Sequence, residues 1–129
     1  MPATVLLCDD EEVLRHLVRA TLDNGEYEIV EAADGDESLE LARSRRPDLI
    51  VLDMMMPGRS GLEVLRELRQ DPALSRTPVI MLTARARQAD QEEATAAGAD
   101  RYLAKPFSPL ELISVVEDLL ERGESRAAG

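Results

Sequence analysis

The chain contains a single cysteine, a single histidine, no tryptophan, and only one lysine among 15 basic side chains. With Cys8 alone, no intrachain disulfide can form, which fits a reducing compartment. Cys8 lies within an apolar run and reads as a small core residue, not as a reactive thiol. His16 stands alone in a helical pattern and reads as a surface or boundary histidine, not as a metal ligand. No segment approaches the roughly 18 consecutive apolar residues of a membrane span. The basic region and apolar core of a signal peptide are also missing at the N-terminus. A soluble, cytoplasmic protein that does not engage the membrane is therefore expected. Positive charge is scarce as well. The net charge of −11 excludes unaided nucleic-acid binding, which needs Lys and Arg clusters not offset by acids. Any polyanionic group must be met by a metal or by a local cation.

What is present is enough apolar content, 44% of 129 residues, for one compact core and one main site. Residues 1–122 are expected to form the domain. Residues 123–129, small and charged, are expected to form a flexible tail. Short runs rich in Val, Ile and Leu recur at Thr4–Cys8, Tyr27–Ala32, Leu49–Leu52, Val79–Leu82 and Tyr102–Ala104. Between them lie segments with helical spacing, such as Val13, Leu14, Leu17, Val18 and Leu22, and then Leu62, Leu65 and Leu68. Five strands apolar on both faces, alternating with five helices, predict an α/β fold: a doubly wound parallel sheet covered on both sides.

Local signals agree with these boundaries. Ser60 with Glu63 and Ser108 with Glu111 have capping-box spacing, the latter with Pro109 at the first helical position. Gly25 and Gly98 are placed to close helices. The segment Arg85–Ala97 has alanines and charges but no large apolar residue, so it should be among the least firmly docked elements.

The chemistry collects at the strand ends. VLLCDDEE, residues 5–12, runs from an apolar strand into four carboxylates. Asp10 can cap the following helix, with Glu11 and Glu12 in its favourable first turn; that leaves Asp9 unexplained. A second buried strand ends in Asp53, followed by Met54-Met-Met-Pro-Gly58. In a parallel sheet, ligands bind outside the carboxyl ends where the strand order reverses. Asp9, Asp10 and Asp53 can meet there, where their repulsion calls for a cation. Hard oxygen donors point to Mg²⁺. Thr83 and Lys105 end the fourth and fifth strands at the same edge. Carboxylates with a metal, a hydroxyl and an ammonium suit phosphoryl handling, with one carboxylate attacking in line.

The ordered set Asp9-Asp10, Asp53 followed by Met-Pro-Gly, Thr83-Ala84 and Lys105-Pro106-Phe107 resembles the receiver domain of two-component response regulators across nearly the whole chain. The resemblance implies a flavodoxin-like fold with strand order 2-1-3-4-5. It implies that Asp53 is the phosphoacceptor, loaded from a phosphohistidine on a sensor histidine kinase or phosphotransfer protein. Asp10, Asp53 and the Met55 carbonyl are implied as direct Mg²⁺ ligands, with Asp9 acting mainly through a metal-bound water. Lys105 and Thr83 are implied to meet phosphoryl oxygens, and Tyr102 is the aromatic whose movement accompanies that of Thr83. The peptide between Lys105 and Pro106 is often cis in this family. Apart from its own phosphorylation and dephosphorylation, such a domain is a signalling module and not an enzyme. It acts through its fourth helix, fifth strand and fifth helix on a protein target or an output domain.

Two departures from the family pattern and three alternatives bear on this reading. Met55 and Arg85 flank the implied path of hydrolytic water, and a thioether orients water poorly. Slow self-dephosphorylation is therefore expected. The fifth helix has Val115, Val116 and Glu117 where winged-helix regulators of this family place arginines for dimer salt bridges. The chain is expected to be a monomer or a phosphorylation-dependent dimer. A haloacid-dehalogenase-type phosphatase needs a second aspartate where Met55 stands, and a flavodoxin needs a Ser/Thr/Gly-rich loop where four acids stand. A degenerate receiver, acting as an interaction module without phosphorylation, is the remaining alternative.

Overall fold

The computed structural model describes residues 3–23, 25–84 and 88–128, with side chains as far as Glu121. Strands and helices alternate: β1 (Ala3–Cys8), α1 (Glu12–Leu22), β2 (Tyr27–Ala32), α2 (Gly35–Arg45), β3 (Leu49–Asp53), α3 (Gly61–Gln70), β4 (Val79–Thr83), α4 (Gln88–Ala97), β5 (Arg101–Ala104) and α5 (Pro109–Ala128). All strand pairs are parallel, in the order β2-β1-β3-β4-β5. The fold is the flavodoxin-like doubly wound sheet that the sequence implied.

Side-chain alternation along the strands builds two cores. Leu6, Cys8, Ile50, Leu52, Val79 and Met81 face one side of the sheet, where Leu39 and Ala42 of α2, Val64, Leu65 and Leu68 of α3, and Ala94 of α4 cover them. Val5, Leu7, Leu49, Val51, Ile80 and Leu82 face the other, under Val18 and Leu22 of α1 and Leu112, Val116 and Leu119 of α5. β3 and β4 are buried along their whole length. That double burial is why they read as unbroken apolar runs and not as alternating ones.

Several local features differ from the sequence expectation. On α1 the core-facing row is half-buried Leu14 with buried Val18 and Leu22, an i, i+4, i+8 stripe. Val13 and Leu17 lie a further 100° or so around the helix and are exposed. Asp10 does not cap α1. The N-cap is Glu11, without a side-chain cap, and the Glu11 N–H donates to Asp9 Oδ1 at 2.8 Å. Asp9 thus closes the turn ahead of the helix without capping it, and Asp10 is left exposed at the strand end. The α5 backbone runs from Pro109 to Ala128.

The remaining punctuation follows the sequence. Ser60 and Ser108 accept the Glu63 and Glu111 N–H groups, and Gly98 adopts φ 107°. At the end of α4, the Gly98 N–H reaches Thr95 O and the Ala99 N–H reaches Ala94 O, the paired bonds of a Schellman motif. α4 buries only Ala94, consistent with a weakly docked helix. Its C-terminal end is held by Arg69 of α3, which donates to the carbonyls of Gly98, Thr77, Leu74 and Ser75 and to the Asp100 carboxylate. Arg85 lies outside the described residues.

Candidate functional site

β1 and β3 are neighbours at the sheet centre, yet β1 is followed by α1 on one face and β3 by α3 on the other. Their carboxyl ends therefore open into the crevice where the winding reverses. The Asp9 N–H donates to Ala32 O at 3.1 Å, extending the β1–β2 ladder by one residue and fixing Asp9 on that edge. The Arg15 guanidinium donates to the Asp9 carbonyl at 2.6 Å. Asp53 closes β3, and the next N–H, of Met54, donates to Leu82 O at 2.8 Å. The loop then turns back so that the Gly61 N–H donates to Met54 O at 3.0 Å.

Gly61 lets α3 start directly against this strand end. A Cβ at position 61 would lie 2.1 Å from Asp53 O and 2.8 Å from Met54 Cα, both backbone atoms. This steric requirement was not drawn from the sequence. Its one local hint is a glycine in the first turn directly after a serine cap, where neither a turn nor the helix calls for it.

Asp9 and Asp53 are buried. Lys105 reaches between them, with Nζ 3.1 Å from Asp9 Oδ2 and 3.3 Å from Asp53 Oδ2. Glu11, exposed on the rim, places a third carboxylate 3.8 Å from the same ammonium; the sequence had assigned it only to the helix turn. The Met55 N–H donates to Asp53 Oδ1 at 3.2 Å. The lysine is carried into place by β5: its own N–H donates to Thr83 O at 2.7 Å, and the peptide to Pro106 is cis. Thr83 is buried at the end of β4, beside β3, while Tyr102 is half-buried one strand further out, in register with Met81.

The electrostatics follow from this crowding. Burial first, and then the adjacent Asp9 charge, push the Asp53 carboxyl up from 3.8 to about 6, against the lowering influence of the Met55 N–H and Lys105. Burial pulls Lys105 down, but the Asp9 and Asp53 carboxylates more than offset it and hold the ammonium above its ordinary value. One ammonium thus serves two buried carboxylates, leaving excess negative charge.

Asp9, Asp10 and Asp53 each offer a carboxylate oxygen, and these lie within 4.8 Å of one another. A cluster of hard oxygen donors with unneutralised charge suits Mg²⁺. The residues present therefore fit a divalent cation. Elsewhere, burial pushes the Cys8 thiol up to about 12, as expected for an inert core cysteine. His16 is exposed and is not among the clustered ligand residues. An open groove between α2 and the loop before α3 is lined by charges of both signs, including Asp36, Arg43 and Arg59. Its lining includes none of Asp9, Asp10, Asp53 or Lys105; at the cleft, Lys105 occupies the space between the carboxylates.

The comparisons with known proteins agree with this geometry. Residues 5–117 match the response regulator receiver domain, and the chain belongs to that family of two-component signalling proteins. It is 44% identical over 118 residues to the transcriptional regulatory protein ResD of Bacillus subtilis, covering 92% of this chain and 48% of that protein. It is 40% identical over 127 residues to the alkaline phosphatase synthesis transcriptional regulatory protein PhoP of the same organism, covering 98% and 52%. The chain thus spans about half the length of these curated relatives. Among solved structures, the chemotaxis response regulator CheY4 of Vibrio cholerae superposes with a TM-score of 0.87 at 35% identity, covering 92% of this chain and 99% of that one. A putative response regulator from Chloroflexus aurantiacus gives 0.89 at 34% identity, covering 94% and 99%. No helix among the described residues is long and apolar enough to cross a membrane.

Proposed function

We propose that the chain is a phosphorylation-dependent receiver that takes a phosphoryl group onto Asp53 from a phosphohistidine of a sensor histidine kinase or phosphotransfer protein, in the cytoplasm. The observation that carries this is the placement of Lys105 between buried Asp9 and Asp53, beside Asp10, at the carboxyl edge of the sheet. A carboxylate oxygen of Asp53 attacks phosphorus in line; the bond from phosphorus to the imidazole nitrogen breaks and the imidazole leaves. Asp10, Asp53 and the Met55 carbonyl would hold Mg²⁺, with Asp9 acting through a bound water. When bound, the ion neutralises phosphoryl oxygens and relieves the repulsion among the carboxylates.

Lys105 pairs with one phosphoryl oxygen, and the Thr83 hydroxyl donates to another. Tyr102, in the adjacent strand, follows the threonine. About two negative charges are added at the cleft, and α4, which buries a single alanine, is the element most easily displaced. The output face is then α4, β5 and α5, directed at a protein target or an output domain. On this face Arg101 pairs with Asp118 within the chain, and Val116 is buried. Both features favour a monomer or a dimer formed only on phosphorylation.

The test is intact mass after incubation with acetyl phosphate and Mg²⁺. One added phosphoryl group that is lost with a chelator or in Asp53→Asn is expected. No adduct from acetyl phosphate or from a phosphorylated kinase domain would favour a degenerate receiver instead.

A further inference from the structure

Three consecutive methionines leave β3, and the fold treats them unequally. Met54 and Met56 are buried in the core under α2 and α3, as is Met81 on β4. Met55, between the first two, is 63% exposed. Its backbone N–H is bonded to the Asp53 carboxylate at 3.2 Å, so the exposed thioether belongs to the residue that borders the acceptor. No packing accounts for a large apolar side chain there.

We propose that Met55 is a reversible oxidation site whose sulfoxide, at the rim of the acidic cleft, shortens the life of a phosphoryl group on Asp53. The coupling to lifetime rests on the phosphoacceptor role proposed above; the oxidation itself does not. A thioether lone pair attacks the O–O bond of a hydroperoxide. One oxygen is transferred to Sδ, the sulfur is oxidised by two electrons, and the peroxide is reduced to water or an alcohol. A thiol-dependent sulfoxide reductase reverses the change. Access selects the site, because Met54, Met56 and Met81 are shielded by the core while Met55 meets solvent.

Oxidation changes what this side chain can do. The thioether sulfur is a weak hydrogen-bond acceptor, whereas the sulfoxide is polar and its oxygen accepts strongly. In hydrolysis a water oxygen bonds to phosphorus, the bond from phosphorus to the Asp53 oxygen breaks, Asp53 leaves as a carboxylate, and inorganic phosphate departs as its mono- or dihydrogen form, any remaining proton passing to solvent. An acceptor on the residue next to that carboxylate orients the attacking water where the thioether cannot. One such hydrogen bond is worth about fivefold in rate.

The experiment uses the whole chain. Increasing hydrogen peroxide is followed by peptide mass mapping to rank the methionines. The protein is then loaded with acetyl phosphate and Mg²⁺, the donor is removed, and decay is followed by intact mass in untreated, oxidised and reductase-treated samples, beside Met55→Leu with and without peroxide. The expected result is sulfoxide at Met55 before Met54, Met56 or Met81, decay about fivefold faster, recovery with reductase, and no response to peroxide in Met55→Leu. Oxidation of the buried methionines at the same rate overturns the site. Unchanged decay in the Met55 sulfoxide, or an equal response in Met55→Leu, overturns the coupling. Failure of the untreated protein to take any phosphoryl group overturns the phosphoacceptor role and the coupling with it, while the mapping still decides the oxidation site.

Discussion

Asp53→Asn should make the metal-free protein more stable, and by an amount that depends on pH. Asp53 is 3% exposed, and burial together with the Asp9 charge raises its carboxyl from 3.8 to about 6. The folded state therefore holds this proton more tightly than the unfolded chain. The resulting stability is fully present below about pH 4 and is lost as pH rises through about 6. The span from 3.8 to about 6 corresponds to about 3 kcal/mol at roughly 1.4 kcal/mol per pH unit. Asparagine keeps the shape without the charge. Urea unfolding of both proteins in chelator, from about pH 4 to about pH 7, reads the loss of this charge, because carboxylates that do not face Asp53 cancel in the difference. The advantage of Asp53→Asn should be small at the acid end and grow to about 3 kcal/mol at neutrality. Excess Mg²⁺ should stabilise the wild-type protein and shrink the difference, since a ligand of the folded state adds stability by mass action. A difference that is flat with pH, or a wild-type protein that is the more stable one at neutral pH without metal, would refute the electrostatic reasoning.

Other perturbations address the surrounding structure. Met55→Asn should shorten the phosphoryl half-life by about fivefold, the weight of one oriented water; an unchanged decay rate by intact mass would remove Met55 from that role. Gly61→Ala places a Cβ against the Asp53 and Met54 backbone and should cost about 2–3 kcal/mol in urea unfolding, with weaker Mg²⁺ binding by calorimetry because the end of β3 must shift. Arg69→Ala strips the carbonyls of Leu74, Ser75, Thr77 and Gly98 of a charged donor. It should cost about 2–4 kcal/mol, with amide exchange rising first between Gly98 and Val79.

Much of the sheet was legible because buried parallel strands are written as continuous Val, Ile and Leu runs. β2 runs from Tyr27 to Ala32 as read, and β3 and β4 extend one residue further, to include Asp53 and Thr83. The cleft was legible for the same reason: strand ends at one edge bring Asp9, Asp53 and Lys105 together. Local rules failed where two residues competed for one role. Asp10 and Asp9 both fit the turn before α1, and only the fold shows that Asp9 takes the Glu11 N–H. Asp34, which caps α2 by accepting the Glu37 N–H at 2.8 Å, has the capping spacing to Glu37, but no long apolar run follows to mark a helix start. The clasp made by Arg69 joins α3 to Gly98 and Asp100, segments brought together only by the tertiary fold, and it leaves no local trace in the sequence. Packing constraints such as that on Gly61 are invisible until the neighbouring backbone is placed.

The most direct test of the central claim is to trap the acceptor chemically. After incubation with acetyl phosphate and Mg²⁺, borohydride reduces an acyl phosphate to the alcohol and leaves a free carboxylate untouched. Homoserine in place of Asp53, absent when Mg²⁺ is chelated, is the expected result by peptide sequencing in the mass spectrometer. Reduction at another acid, or none while phosphate is covalently retained, would contradict Asp53 as the phosphoacceptor.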